Sequence, residues 1–375
     1  MTTAESRSRR TLVIAANCGW NILNFRRPLV EALVADGWRV VALAGDDGSG
    51  PALAGLGAEF AAIRVDSSAL SPVGDLRLML DYLAELRRIR PQALLGFTVK
   101  PNIYGSLAAC LLGIRVINNI SGLGTAFMRQ GPLSLLVGAL YRLALRRSAR
   151  VFFQNSEDMD QFVGQRLVRP EQAALLPGSG VDLDRFRPAA GTGRGDRRFR
   201  FLFVGRLLRD KGLEEYAEAA RLLRPRWPDA EFAILGFAGS DNRSAVPLAE
   251  VERWQGEGLV HYLGEVQDVR PALGEADCVV LPSYREGLPR SLLEAAAMGR
   301  PMIATDVPGC RDVVSDGKDG FLCAPRSAPA LAEAMEKMLR LAPAKRAAMG
   351  QKARRKVEQH FDARRVVDAY REALR

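Results

Sequence analysis

The chain has 375 residues, 48% of them are apolar, and its formal net charge is +10 at pH 7. This length exceeds what one hydrophobic core usually organises, and the apolar content excludes a disordered or fibrous chain, so we expect two globular domains. The five cysteines are odd in number and lack CxxC spacing, which argues against a disulfide framework or a zinc site.

The sequence shows no sign of a membrane span. No stretch is apolar over the roughly 18 residues that a spanning helix requires. The apolar run from Leu12 to Ala16 is too short for the core of a signal peptide. We therefore expect a cytoplasmic protein that is soluble or held on the cytoplasmic face of the inner membrane.

The positive charge is concentrated in one part of the sequence. No Asp or Glu occurs between Leu86 and Arg150, and this stretch holds ten Arg and Lys residues. A general preference for arginine explains the arginines but not the missing acids. We therefore predict an electropositive surface that meets phosphate groups or an anionic membrane, and we expect no nucleic-acid partner.

Short apolar runs alternate with longer amphipathic stretches through the first half. The runs predict strands and the stretches predict helices, and this alternation is typical of a parallel, doubly wound sheet. The predicted strands are Leu12–Ala15, Arg39–Leu43, Ala93–Phe97, Val116–Ile120 and Val151–Gln154, and the clearest helices are Pro28–Asp36 and Leu76–Arg90. A further segment, Leu133–Arg147, is apolar with a basic end, which fits either a buried crossover helix or a helix lying in a lipid interface.

The second half repeats the pattern after a segment of linker composition, residues 186–199, which is rich in Gly, Pro and Arg. The predicted strands that follow are Phe201–Val204, Glu231–Leu235, Val260–Leu263, Cys278–Leu281 and Pro301–Ala304. The predicted fold class is α/β, with two Rossmann-like domains facing a cleft where the carboxyl ends of the strands collect ligands. We place the domains at residues 1–187 and 200–358, the linker at 188–199, and a C-terminal helix at 359–375 that crosses back to the first domain.

Two glutamates bracket a predicted helix start after the apolar strand Cys278–Leu281. Pro289 suits the first turn of a helix, so the neighbouring backbone N–H groups of Gly287, Leu288 and Arg290 lie at the positive end of the helix dipole. Glu286 precedes this anion site and Glu294 lies inside the helix. Carboxylates bind vicinal hydroxyls, so the arrangement matches a nucleotide sugar, in which a diphosphate joins two hydroxyl-rich rings.

A second motif follows the strand Phe201–Val204. Gly205 allows a close backbone turn, and Arg206 and Lys211 bring two cations to the carboxyl edge of the sheet. These cations can neutralise a departing nucleoside diphosphate. On its own the motif would fit a surface turn, but beside the two glutamates it favours a phosphate site.

Together, the segment Gly205–Gly212 and the pair Glu286 and Glu294 resemble the family 4 retaining glycosyltransferases of the GT-B fold. Three segments of the first half resemble one subgroup, which builds glycan units on polyprenyl diphosphate and includes N-acetylgalactosaminyl- and N-acetylglucosaminyltransferases. These segments are Asn17–Arg26, Thr98–Gly105 and Asn118–Gly124.

The resemblance implies a role for each motif residue. Glu286 would contact the donor hexose and Glu294 the ribose, while Arg206 and Lys211 would hold the diphosphate with help from the helix start. The donor would be a UDP-sugar and the acceptor a lipid-linked sugar. We expect no cofactor beyond the nucleotide sugar and no metal, because we interpret Asp158-Met-Asp160 and Asp182-Leu-Asp184 as structural.

The first half is then expected to bind the acceptor. Asn17 and Gly19 follow the first predicted strand, and Lys100 follows the strand Ala93–Phe97. Asn118 and Ser121 lie at the end of another strand and could line the cleft, although satisfied strand-end amides fit equally well.

The first half contains no histidine, since the two histidines are His261 and His360. For a retaining transfer we therefore expect front-face substitution, in which the leaving phosphate takes the acceptor proton. Two alternatives stay open at this point. A nucleotide-sugar epimerase can share the two-domain architecture, and a non-catalytic partner in an assembly complex would carry the same fold.

Overall fold

The computed structural model describes residues 10–65, 71–122, 132–188, 198–239, 242 and 244–375, with the side chains of 132–134 left out. The chain divides into two compact units, residues 1–179 with 363–375 and residues 180–362. Gly124, Arg129 and most of the predicted linker, residues 189–197, lie outside the described residues. Each unit is described by itself.

The first unit is built on a parallel sheet of seven strands in the order β3-β2-β1-β4-β5-β6-β7. Its strands are β1 Thr11–Cys18, β2 Arg39–Gly45, β3 Glu59–Ala62, β4 Ala93–Phe97, β5 Arg115–Ile120, β6 Arg150–Phe153 and β7 Ala173–Leu175. The central strands are buried along nearly their whole length, as expected for a sheet covered by helices on both faces.

Helices cover both faces of this sheet. They are α1 Gly19–Phe25, α2 Arg27–Ala35, α3 Gly50–Gly55, α4 Pro72–Ile89, a π-helix at Pro101–Gly105, α5 Ser106–Leu111, α6 Pro132–Leu145 and α7 Ser156–Gly164. Helices α4 to α7 pack on one face, and α1 to α3 pack on the other. Helix α4 begins after Ser71, whose Oγ caps it by accepting the N–H of Gly74 at 3.1 Å. It ends before Pro91, which disfavours a helical conformation in the preceding residue.

The second unit contains a parallel sheet of six strands in the order β10-β9-β8-β11-β12-β13. Its strands are β8 Arg200–Val204, β9 Glu231–Leu235, β10 His261–Tyr262, β11 Cys278–Leu281, β12 Met302–Thr305 and β13 Gly320–Cys323. Its helices are α8 Leu213–Leu223, α9 Leu248–Gly256, α10 Arg270–Glu275, α11 Arg290–Ala297, α12 Cys310–Val313, α13 Ala328–Arg340 and α14 Pro343–His360.

The last helix, α15 at Ala363–Leu374, belongs to the first unit. Val366, Tyr370 and Ala373 are buried in the core that α2 forms with the sheet. The structure separates α15 from α14 by a short break at residues 361–362, where the sequence analysis expected one helix from residue 359.

The predicted α/β class with two parallel sheets is confirmed. The strands that the sequence analysis did not predict are β3, β7 and β13, and each lies at the edge of its sheet. The second unit also begins earlier than the predicted boundary at residue 187, because Val181, Leu183 and Phe186 are buried in its core.

Candidate functional site

The two sequence motifs of the second unit meet where its strand order reverses. The chain runs from β8 outward through β9 and β10 and then returns to β11 beside β8. Loops that leave such a reversal point diverge, and ligands bind in the space between them. Here the loop after β8 touches the loop after β11, because Tyr284 donates its N–H to the carbonyl of Asp210 at 2.9 Å.

Glycines allow the loops around β8 to approach one another. A Cβ on Gly212, whose φ is +72°, would lie 2.1 Å from the carbonyl oxygen of Pro282. A Cβ on Gly236 would lie 1.7 Å from the carbonyl oxygen of Gly205. The close backbone turn was predicted at Gly205. In the structure, the residues that must lack a side chain are Gly212 and Gly236, because a Cβ there would collide with a neighbouring carbonyl oxygen.

Lys211 and Glu286 form an ion pair through Lys211 Nζ and Glu286 Oε1. The same carboxylate oxygen accepts a hydrogen bond from Ser283 Oγ at 2.6 Å. Within the described part of the chain, Glu286 Oε2 accepts no hydrogen bond, and the side chain is 11% exposed. The carboxylate is therefore held through one oxygen, and the other oxygen is left for a ligand.

A buried layer supports this pair. Ser283 is fully buried, and its carbonyl accepts a hydrogen bond from the hydroxyl of Thr305 at the end of β12. Burial raises the pKa of Cys310 well above its usual value, and the nearby carboxylate of Glu286 adds to the effect, so the thiol stays neutral. Ser283, Thr305 and Cys310 were not predicted as site residues from the sequence. Ser283 could have been found as a polar residue three positions before Glu286.

The helix after Glu286 begins one residue later than predicted. Pro289 is the capping residue, with φ −75° and ψ 112°, and α11 starts at Arg290. Among the described residues, no side chain caps this helix start. The N-terminus of α11, preceded by Gly287 and Leu288, carries the positive end of the helix dipole, which favours an anion.

Glu294 lies one turn inside α11 and is buried. Arg290 Nε contacts its Oε1 at 2.6 Å. Burial raises the pKa of the Glu294 carboxyl, and the guanidinium of Arg290 opposes that rise. Arg185 lowers the same pKa and Asp268 raises it, so both lie close enough to act on Glu294.

Arg206, the other predicted phosphate ligand, is exposed directly after β8. The structure therefore brings Lys211 and Glu286 together and pairs Glu294 with Arg290, while Arg206 faces solvent.

The predicted residues after β1 differ in their surroundings. Asn17 lies within β1, and its Oδ1 is buried with no hydrogen-bond partner among the described residues. Gly19 is buried at the start of α1, where a Cβ would lie 3.0 Å from Asp47 Oδ1. Asp47 also accepts the N–H of Trp20 at 2.7 Å. Asp47 thus occupies the helix start, and Gly19 has a packing role that makes it a poor candidate for substrate binding.

Lys100 has an internal partner. Its Nζ donates to Asp75 Oδ1 at 2.8 Å, and both side chains are largely buried. Burial, the charge of Asp75 and a hydrogen bond to it raise the pKa of Tyr104 to about 12. Lys100 was predicted as an acceptor-binding residue, and in the structure Asp75 at the first turn of α4 balances its charge.

Asn118 is a structural residue. It is fully buried, and its Nδ2 donates to Asn102 Oδ1 at 2.9 Å and Ser106 Oγ at 2.8 Å. Its Oδ1 accepts from Ser148 Oγ at 2.6 Å. Asn102, Ser106 and Ser148 satisfy the hydrogen bonds of Asn118, which agrees with the alternative of a satisfied strand-end amide.

Ser121 is half-buried and takes part in a hydrogen-bond network. Its Oγ donates to Asn119 Oδ1 at 2.9 Å and accepts from Arg26 Nη2 at 3.2 Å. Asn119 in turn donates to the hydroxyl of Tyr370 on α15 at 3.1 Å. The network ties the end of β5 to the C-terminal helix.

The two Asp-x-Asp segments have local structural contacts. The N–H of Asp158 donates to Asn155 Oδ1 at 2.8 Å at the start of α7. Asp182 Oδ1 accepts the N–H groups of Asp184 and Arg185 at 3.0 and 2.9 Å. These contacts support the structural interpretation of both segments.

Two family models match the chain, one in each half. The family described as "Glycosyl transferase 4-like domain" matches residues 24–179, and "Glycosyl transferases group 1" matches residues 198–340. The matches together span about four fifths of the chain. This chain is a family 4 glycosyltransferase.

Curated relatives of this glycosyltransferase extend over most of its length. The N,N'-diacetylbacillosaminyl-diphospho-undecaprenol alpha-1,3-N-acetylgalactosaminyltransferase of Campylobacter jejuni is 27% identical over 340 residues, which is 86% of this chain and 88% of the relative. The UDP-Gal:alpha-D-GlcNAc-diphosphoundecaprenol alpha-1,3-galactosyltransferase of Escherichia coli is 28% identical over 68% of this chain and 67% of its own.

Solved structures agree on the fold. WaaG, a glycosyltransferase involved in lipopolysaccharide biosynthesis, matches with a TM-score of 0.75 and 19% identity over 96% of this chain and 99% of its own. The two parallel sheets are thus those of the GT-B fold.

The glycosyltransferase also carries an exposed apolar face on α6. Val137, Tyr141 and Ala144 are buried in the core of the first unit, which agrees with a crossover helix. On the opposite side Leu135 is 76% exposed, and Leu136 and Leu143 are also exposed. Among the described residues, no helix is both long and apolar enough to span a bilayer.

Proposed function

We propose that this glycosyltransferase transfers a hexose or an N-acetylhexosamine from a UDP-sugar to a sugar on polyprenyl diphosphate, with retention of the anomeric configuration. The observation that carries the proposal is the cluster of Lys211, Glu286 and Ser283 at the reversal point of the second sheet. It combines a cation for a phosphate with a carboxylate oxygen for a sugar hydroxyl. Relatives named for transfer to diphosphoundecaprenol-linked sugars support the acceptor class.

The donor is held in three parts in this proposal. Glu286 Oε2 accepts a hydrogen bond from a hydroxyl of the hexose. Glu294 accepts hydrogen bonds from the hydroxyls of the ribose. The diphosphate lies against Arg206, Lys211 and the N-terminus of α11. A lysine ammonium carries three N–H donors, so Lys211 can contact a phosphate while it keeps its bond to Glu286.

Bond cleavage then depends on charge stabilisation at the leaving group. The leaving diphosphate oxygen takes the proton of the acceptor hydroxyl as the new bond forms on the same face of the sugar. Lys211, Arg206 and the helix dipole stabilise the negative charge that develops on the diphosphate. The proposal needs no histidine base, which agrees with a sequence whose only histidines are His261 and His360.

A radiolabel assay tests the function. UDP-GalNAc, UDP-GlcNAc, UDP-Gal and UDP-Glc are each offered with N-acetylglucosaminyl-diphospho-undecaprenol, and label is counted in the organic phase. We expect label in the lipid with at least one donor, and NMR of the product should show an α linkage. An isomerised nucleotide sugar would instead indicate the epimerase, and no transfer from any of the four donors would contradict the proposed donor or acceptor class.

We further propose that the enzyme works on the anionic, cytoplasmic face of the inner membrane. The exposed leucines of α6 lie beside Arg142, Arg146 and Arg147, which are exposed as well. Helix α4 adds a second exposed stripe, formed by Val73, Leu76 and Leu80. Apolar side chains next to arginines are typical of surfaces that insert between anionic head groups.

Vesicle flotation tests this surface. The protein should float with phosphatidylglycerol vesicles, float less with phosphatidylcholine vesicles, and lose binding as salt is raised. The double substitution Leu135→Ser and Leu136→Ser should abolish flotation, whereas Leu222→Ser, at an exposed leucine of the second unit, should not. Equal flotation of all variants would contradict the assignment.

A further inference from the structure

The ion pair of Lys211 and Glu286 joins two loops of the second unit. Lys211 lies on the loop after β8 and Glu286 on the loop after β11, and these two strands are neighbours in the sheet. A lysine side chain is long and flexible, so the pair alone does not fix the distance between the loops. Other contacts must hold their backbones in place.

Tyr284 makes two such contacts. Its backbone N–H donates to the carbonyl of Asp210 at 2.9 Å, and its hydroxyl donates to Glu215 Oε1 at 2.6 Å. Asp210 and Glu215 lie on either side of Lys211 in the sequence, and Tyr284 precedes Glu286 by two residues. Tyr284 therefore bonds the first loop on both sides of the lysine.

Glu215 depends on this hydroxyl. Its Oε2 is buried and has no hydrogen-bond partner among the described residues, so the hydroxyl of Tyr284 is the one donor that the structure shows for the carboxylate. Burial and the neighbouring carboxylate raise the pKa of Tyr284, so the hydroxyl keeps the proton that it donates. Glu215 also lies in the first turn of α8, where the helix dipole favours a negative charge.

Arg326, on the loop between β13 and α13, holds the ring of Tyr284. Its guanidinium carbon lies 4.5 Å from the ring centroid, which is an attractive cation–π distance. Arg326 is exposed and has φ +58°, a conformation that glycine adopts without strain. Strained residues persist at a cost in folding free energy and cluster at functional sites.

We propose that Tyr284, held by Glu215 and Arg326, is a positioning residue that keeps Lys211 and Glu286 aligned for the donor. The inference rests on the proposed function, because it takes Lys211 and Glu286 as the groups that contact the diphosphate and the hexose. It adds three residues that act through this pair without touching the substrate. A small displacement of a catalytic group is enough to slow a reaction strongly.

The main test removes only the hydroxyl of Tyr284. Tyr284→Phe should lower kcat about tenfold and leave the KM for the acceptor unchanged. Tyr216→Phe is the matched control, because its hydroxyl donates to the carbonyls of Phe201 and Ala233 in the core. It should lower the thermal midpoint and leave kcat unchanged. An unchanged kcat in Tyr284→Phe, or an equal loss in both variants, would overturn the inference and leave the proposed function intact.

A conservative substitution of Glu215 tests the hydrogen bond itself. Glu215→Gln keeps an acceptor oxygen for the hydroxyl of Tyr284 and should keep most of the turnover. Glu215→Leu removes the acceptor and should lower kcat about tenfold. Equal losses in the two variants would contradict a role through this hydrogen bond.

Arg326→Gly separates function from stability. It removes the cation from the ring of Tyr284 but relieves the backbone strain, so kcat should fall about threefold while the thermal midpoint does not fall. Arg166→Gly, at an exposed arginine of the first unit with φ +55°, makes the same change and should leave kcat unchanged. A lower midpoint with unchanged kcat in Arg326→Gly would give Arg326 a purely structural role.

UDP binding decides the inference if the wild type transfers no sugar. By calorimetry, Tyr284→Phe should weaken UDP binding about threefold in the wild type and should add nothing in a Lys211→Ala background. That pattern would support the positioning role even if the proposed function failed. An equal Kd for UDP in the wild type and Tyr284→Phe would then overturn the inference, and no UDP binding by the wild type would overturn both proposals.

Discussion

The candidate residues at the reversal points of the two sheets differ in hydrogen bonding. In the second unit the candidate residues are charged and already paired, Lys211 with Glu286 and Arg290 with Glu294. In the first unit the oxygens of Asn17, Asn21 and Thr98 are neutral and lack partners among the described residues. The two sheet edges thus differ in whether their polar side chains are already paired.

The difference in hydrogen bonding follows from the free-energy cost of leaving each kind of group unpaired in the absence of substrate. An unpaired charge in a buried position costs far more free energy than an unpaired neutral oxygen, so charged ligand groups need internal partners to survive without the substrate. Neutral oxygens can lack a hydrogen-bond partner at a smaller cost in free energy. A diphosphate requires charge, which agrees with the proposal that the second unit holds the donor.

The largest expected effect comes from removing the cation of the second unit. Lys211→Ala should lower kcat by about 100- to 1000-fold, because the developing charge on the leaving diphosphate loses a nearby ammonium. The Kd for UDP, measured by calorimetry, should change less than about tenfold, since the helix start and Arg206 remain. Lys337→Ala, at an exposed lysine of α13, is the control. Unchanged turnover in Lys211→Ala would contradict the mechanism.

The next test separates the two glutamates. Glu286→Gln should lower kcat by about 100-fold with UDP binding preserved, because its target is the hexose. Glu294→Gln should weaken UDP binding by about tenfold or more, since it removes a charged acceptor for the ribose. Loss of UDP binding in Glu286→Gln would overturn this division.

The assignment of Glu294 to the ribose also predicts how the affinity for UDP depends on pH. Burial raises the pKa of Glu294, so this carboxyl takes up a proton at a higher pH than an ordinary glutamate. The UDP affinity of the wild type should therefore begin to fall at a higher pH than an ordinary glutamate would cause, as the acceptor form is lost. The fall on acidification should be smaller in Glu294→Gln, where only the protonation of the phosphate of UDP contributes. Parallel pH profiles would contradict the role of Glu294.

The two units also differ in how far the sequence predicted their sites. Glu286 and Lys211 are distant in sequence, but each follows a buried strand of a parallel sheet, so the carboxyl edge could bring them together. Lys100 and Asn118 also follow or end strands, yet their partners come from helices. Asp75 lies in α4, and Asn102 and Ser106 lie in the helical segment after β4. A strand pattern cannot predict contacts made by helix packing.

The sequence also predicted the central strands better than the edge strands. Central strands are long apolar runs, so their positions were predicted from the sequence. The missed edge strands are short. The edge strands β3 (Glu59–Ala62) and β7 contain no fully buried residue and span only four and three residues, so a search for buried apolar runs does not find them.

A smaller effect is expected for Ser283. Ser283→Ala should lower kcat about 5- to 10-fold, because Glu286 Oε1 loses one of its two donors and the carboxylate is less well oriented. A double-mutant cycle provides the measurement. Ser283→Ala should add nothing in a Glu286→Gln background if the serine acts through the glutamate. Additive losses would show that Ser283 acts independently.

The smallest expected effect concerns the helix that completes the first unit. Arg371 on α15 donates to Asp36 after α2 at 2.7 Å from Nε and 2.9 Å from Nη2, and this hydrogen bonding lowers the pKa of Asp36. Both side chains are partly exposed to solvent, so Arg371→Gln should cost no more than about 1 kcal/mol of unfolding free energy.

The pH dependence identifies the carboxylate partners of Arg371, which are Asp36 and, at 3.2 Å, Asp368, as the cause. A carboxyl with a lowered pKa contributes stability above its unfolded pKa and loses it as the pH falls through the folded pKa. The difference in thermal midpoint between the wild type and Arg371→Gln should therefore be present at neutral pH and shrink below about pH 4. Arg365→Gln, at an exposed arginine of the same helix, should show no such trend. A difference that persists in acid would mean that Arg371 stabilises α15 by packing of its side chain and not through Asp36.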